Sequence, residues 1–77
     1  MDREAPTFEE FSNAVLEDLK GYKKQELIDY FYSDEAQEMV KGRYDSYLQE
    51  YNNGEIDYSM FMNGGVSSLS YCLYYCY

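Results

Sequence analysis

From Tyr58 to Tyr77 the chain carries no charged side chain, although charged residues make up 27 % of the whole. Within that stretch Met62, Val66, Leu69, Leu73 and Cys76 step by four, three, four and three. This spacing predicts a helix with one apolar stripe. The phase passes through Asn63-Gly64-Gly65 without a break, which favours one helix, or two nearly collinear ones, over the turn that an Asn-Gly pair commonly makes. A membrane span does not fit: Asn63, four serines, two glycines and several tyrosines leave too few strong apolar residues, and no basic flank fixes topology. A helix without charge in a chain this acidic is better explained by burial on several sides. It is expected at the centre of a bundle, with Tyr71, Tyr74, Tyr75 and Tyr77 on a second face that other helices, a partner or another copy would cover. Ser67, Ser68, Ser70 and the glycines allow close approach.

The remainder reads as three amphipathic helices. Thr7 and Glu10 form a capping box, and Glu9 and Glu10 suit the positive end of the helix dipole. Phe8, Phe11, Val15 and Leu19, widened by Leu16, give a helix over 8–20, with Gly21 as a C-terminal stop. A short second helix over 23–32 places Leu27, Ile28 and Phe31 on one side. Ser33 then caps a third helix, opened by Asp34 and Glu35. It carries Ala36, Met39, Val40, Tyr44, Tyr47, Leu48 and Tyr51 as far as the terminator Asn52-Asn53-Gly54. Gly42 inside it costs about 1 kcal/mol relative to alanine, which suggests a neighbouring backbone close by. Asp57, after Ile56, caps the uncharged helix. Nothing reads as a strand, a repeat or a second domain. The expectation is an all-α fold: one small bundle of about four helices over residues 7–77, preceded by a loose N-terminus over 1–6, with the uncharged C-terminal helix at its centre.

A chain of 77 residues buries only about 60 % of its unfolded surface, so its core is thin. The residues from Met1 to Pro6 have neither the basic nor the apolar region of a secretion signal. Cys72 and Cys76 are spaced poorly for a disulfide on a helix. Reduced thiols in the cytoplasm, acting as two small buried hydrophobes, are therefore expected.

Several chemistries are disfavoured by residues that are missing. There is no histidine, which removes the commonest acid–base group and any Cys–His or Ser–His nucleophile. Two cysteines alone do not complete a zinc set. The spacing of Asp45, Glu50, Glu55 and Asp57 does not fit a calcium loop, and Gly64-Gly65 lacks the pattern of a phosphate loop. A non-enzymatic protein without cofactor or metal is expected.

The charge balance is more informative. Fifteen acidic against six basic residues give a net charge of −9. Such a chain repels nucleic acid and anionic membrane and attracts basic surfaces. Carboxylates a helical turn apart stand about 5–6 Å from one another, comparable with phosphates along a nucleic-acid strand. An array of this kind suits a basic groove already built for a duplex. Glu9, Glu10, Glu17, Asp18, Asp34, Glu35 and Glu38 are the candidate charges. Tyr30, Tyr32, Tyr74 and Tyr77, from a set of eleven tyrosines, are the candidate anchors, because tyrosine is a low-entropy interface residue.

In size, charge and class the chain resembles the small acidic inhibitors encoded by phages and mobile elements, including anti-CRISPR proteins and other nucleic-acid mimics. The resemblance involves no motif, so no functional residue comes with it. The expected function is occlusion of a basic, nucleic-acid-binding surface on a larger protein such as a nucleic-acid enzyme. The alternative is a structural module that pairs with a second copy through Met62, Val66, Leu69 and Leu73.

Overall fold

Thr7 opens the first helix in the way its spacing to Glu10 suggests. Its hydroxyl accepts from the Glu10 N–H, while the Glu10 carboxylate accepts from the Thr7 N–H. In the computed structural model, which describes residues 4–76, helix α1 spans Phe8–Lys20, α2 Gln25–Phe31 and α3 Asp34–Asn52. Helical turns resume at residue 58, pass through a π-helical segment Met60–Gly64 and continue as α4, Gly65–Cys76. The protein is all-α, with no strand among the described residues. It measures 40 × 21 × 18 Å along its principal axes.

Three boundaries follow from the caps. The Ser33 hydroxyl accepts from the Ala36 N–H, and the Asp57 carboxylate accepts from the Met60 N–H at 2.8 Å. The turn between α1 and α2 departs from expectation. Gly21 is right-handed, with φ −64°, and the left-handed residue is Lys23, with φ 57°. Lys24 is extended, so α2 begins two residues later than the apolar pattern implied and ends at Phe31. The N-terminus is also tied down earlier than expected: Pro6 is fully buried, and its carbonyl accepts from the Tyr44 hydroxyl at 2.7 Å. Residues 1–3 of the expected loose segment lie outside the described residues.

The core takes one stripe from each helix: Phe11, Val15 and Leu19 from α1, Leu27 and Phe31 from α2, Ala36 and Val40 from α3. Val66, Leu69 and Leu73 of α4 complete it, together with Phe61 from the π-helical segment. Helix α4 packs against all three other helices, as a hub should. Because Val66, Leu69 and Leu73 are buried inside one copy, the proposed self-pairing seam is already occupied by the protein's own core.

The π-helical segment corrects the expected phase. A strict α-helical step links Met62 to Val66, yet Phe61 is the fully buried residue and Met62 is only half-buried. The Gly65 N–H bonds the Met60 carbonyl five residues back. This wider turn rotates the preceding residues, carrying Phe61 inward and turning Met62 toward the edge. The Phe61 ring then lies 5.7 Å from those of Phe11 and Tyr44, and 6.0 Å from those of Tyr47 and Tyr51.

Close approach occurs at Gly65 and not at Gly42, around which there is open space. The cysteines also differ from expectation. Cys76 is exposed, and half-buried Cys72 accepts a hydrogen bond from Arg43 at 3.6 Å. The same guanidinium donates to Ser68 at 3.0 Å, joining α3 to α4. Helix α4 is not covered on every side: Ser67, Tyr71 and Tyr75 are exposed along its outer face. Burial therefore does not account for the lack of charge there.

Candidate protein-binding surface

All seven candidate carboxylates are exposed. Their positions follow from the helices that carry them. Helices α1, α3 and α4 pack against one another in pairs, so the outward face of α1 and that of α3 point in different directions. The acids accordingly divide into two groups.

The first group gathers at the corner between α2 and α3. Asp34 and Glu35 sit in the first turn of α3, where the dipole favours them, and Glu38 lies one turn on from Asp34. Two candidate tyrosines join them. The Tyr30 hydroxyl donates to the Glu35 carboxylate at 3.3 Å and reaches the Met39 sulfur at 3.8 Å. Tyr30 is half-buried and packs on the core. Its desolvated position, and then the charge and hydrogen bond of Glu35, push its hydroxyl above the ordinary tyrosine range. Tyr32 stands 63 % exposed, its ring edge-on to Phe31 at 5.2 Å.

The second group lies along α1. Glu9 and Glu10 occupy its first turn, with Glu10 engaged in the cap. Glu17 pairs with Lys20 at 2.9 Å, and this hydrogen bond, with the attraction behind it, raises the lysine above its usual range. The pair is exposed, so it adds little to stability. The Asp18 carboxylate has no partner among the described residues. Glu17 and Asp18 form one wall of an open groove of about 430 Å³ between α1 and the start of the C-terminal helix. Ala14, Met62 and Val66 line it from the apolar side, and Asn63 and Ser67 form the far wall.

Tyr74 belongs to a different place. It is half-buried, with its ring stacked on Tyr22 at 4.7 Å and 24° and the Lys24 ammonium 5.2 Å from its centre. Tyr75 meets it edge-on at 5.7 Å, and the Tyr71 hydroxyl donates to that of Tyr75 at 3.1 Å. Among the described residues the rings of Tyr22, Tyr74, Tyr75 and Tyr71 thus run over the end of α4 beside a lysine. Tyr22 had no signal in the periodicity, because it lies in a turn. Tyr77 lies outside the described residues.

Among the described residues no three histidine, cysteine or acidic side chains come together as a metal site. No helix there is long and apolar enough to cross a membrane. The described surface carries exposed carboxylates on two helices, half-buried and exposed tyrosines, and the groove beside α1. No protein family, curated protein or solved structure matches the chain.

Proposed function

We propose that the protein is a non-enzymatic ligand for a larger basic protein, whose nucleic-acid-binding surface it occludes. The observation that carries this reading is the exposure of all seven candidate carboxylates on rigid helices, in a chain with a net charge of −9. On α3 Asp34 and Glu38 stand one turn apart, at about 5–6 Å, close to the interval between phosphates, whereas on α1 Glu9 and Glu10 lie two turns from Glu17 and Asp18. Opposite charges steer the encounter, making association fast and sensitive to salt. The reading places the protein with the acidic inhibitors of phages and mobile elements, acting in the cytoplasm; the free thiols of Cys72 and Cys76 are in keeping with that.

The test has two steps. The immobilised protein captures partners from its native lysate at low salt, and a salt gradient elutes them. The purified partner is then offered a labelled duplex with and without this protein. Loss of duplex binding in proportion to added protein supports occlusion. A partner that binds duplex and this protein together removes it.

One observation favours a second reading, self-assembly. Tyr71 and Tyr75 are 56 % and 69 % exposed on the uncharged helix and would replace the buried residues as the seam. Sedimentation over a hundredfold concentration range decides it, since a constant monomer excludes pairing.

A further inference from the structure

We infer that the groove between α1 and the π-helical start of the C-terminal helix receives an arginine side chain from the partner; this rests on the occlusion reading and names its point of contact. Its apolar side, Ala14, Met62 and Val66, suits the methylene stem of a long side chain. Its α1 wall carries Glu17 and the Asp18 carboxylate, which is unpaired among the described residues, while the opposite wall has no charge. The groove thus attracts a cation along one side and does not repel it from the other.

Arginine fits these walls better than lysine. A guanidinium has five N–H donors in a planar fork and needs acceptors on more than one side. Asp18 supplies two oxygens. On the other wall the Asn63 amide donates its N–H to Ser59 at 3.1 Å, leaving its carbonyl oxygen as an acceptor, and the Ser67 hydroxyl is a further one. The Glu17–Lys20 pair is exposed and readily exchanged. The groove is too open to enclose a small molecule, but one side chain presented by a large surface needs no enclosure.

The backbone supplies an independent argument. A π-helical turn is rare and recurs at functional sites. Here it brings Phe61 into the core and sets Met62 and Asn63 at the groove. A regular α-helix through Asn63-Gly64 would instead direct Met62 inward and take it out of the groove's apolar side.

The experiment uses two short, acetylated and amidated peptides, each with two cationic residues separated by glycine, one with arginine and one with lysine. They are titrated at low salt into the ¹⁵N-labelled full chain. The arginine peptide should shift the amides of Asp18, Asn63 and Ser67 together and bind about threefold more tightly than its lysine counterpart. Ala14→Met fills the groove without altering charge and should weaken arginine binding about threefold or more, with little effect on lysine. Asp18→Asn, which leaves the packing alone, should also lower arginine affinity and decides the matter if Ala14→Met disturbs the fold. Equal binding of both peptides, undiminished by either substitution, overturns the groove. So do shifts centred on Asp34 and Glu38. Either result leaves occlusion standing, because duplex competition judges that separately; failed competition with intact groove binding removes occlusion alone.

Discussion

Gly65 lies against the ring of Tyr47 so closely that a Cβ there would stand 3.2 Å from both Cδ2 and Cε2. The Phe11 ring, which is fully buried, would be 3.3 Å away on another side. Two aromatic rings from α1 and α3 thus rest on the backbone at the start of α4.

We expect Gly65→Ala to lower stability by about 1 kcal/mol, since crowding of about 1–3 kcal/mol outweighs a helix-propensity gain of about 1. Gly42→Ala adds a methyl group in open space and should raise stability by about 0.5–1 kcal/mol. Urea midpoints of the two variants should therefore move in opposite directions.

Phe61 and Met62 test the π-helical phase. Truncating the buried ring in Phe61→Ala should cost about 3–5 kcal/mol, enough to unfold much of a domain this small. Met62→Ala, at a half-buried edge, should cost under about 1.5 kcal/mol. Thermal melts that rank the two the other way would restore the regular helix.

Ser70 is fully buried, and its hydroxyl has no hydrogen-bond partner among the described residues. An unpaired buried polar group costs about 1–3 kcal/mol. Ser70→Ala should accordingly raise the urea midpoint, by about 1 kcal/mol in stability; a loss would mean that the hydroxyl is satisfied in solution.

Alkaline pH should weaken the fold through Tyr44 and Tyr30. Burial, and then nearby Asp45 and Glu10, raise the Tyr44 hydroxyl above its ordinary range, and Tyr30 is raised chiefly by burial and Glu35. Because the folded state holds these protons more tightly, their contribution is complete below about pH 10, the unfolded tyrosine value. It is lost as pH rises through the higher folded values. Tyr44→Phe should cost about 1 kcal/mol at neutral pH through the lost bond to Pro6 and flatten the decline above pH 10. Urea unfolding at steps from pH 8 to 11 measures both.

The two acidic groups should contribute unequally to partner binding. Joint replacement of Glu10, Glu17 and Asp18 by their amides should weaken capture about tenfold at low salt, at up to about 1 kcal/mol for each lost pair. The same change at Asp34, Glu35 and Glu38 should have less effect on affinity, though it removes favourable charge from the first turn of α3. Surface plasmon resonance at several salt concentrations compares them. Equal losses would assign the partner to both faces.

Helices α1 and α3 were legible because local chemistry sets them: Thr7 with Glu10, Ser33 with Ala36, and apolar residues every three or four positions. The inward position of Phe61 was not legible, because it depends on rings from Phe11 to Tyr51 that meet only in the folded state. Counting by 3.6 residues selects Met62 instead. Gly42 misled for a related reason, since a glycine in a helix does not reveal whether anything approaches it. Lys23 takes the left-handed conformation two residues after Gly21, which was free to do so, and no pattern in the chain signals this. Solvent exposure of the candidate acids could be read from periodicity, whereas the directions in which α1 and α3 present them depend on how the helices pack.

The bond between the Tyr44 hydroxyl and the Pro6 carbonyl fastens the lead-in to α1 onto the middle of α3. The two acid-bearing helices are thereby held in one orientation before any encounter. A body docking on the face of either one would meet a preorganised shape and give up less conformational freedom than on a hinged arm.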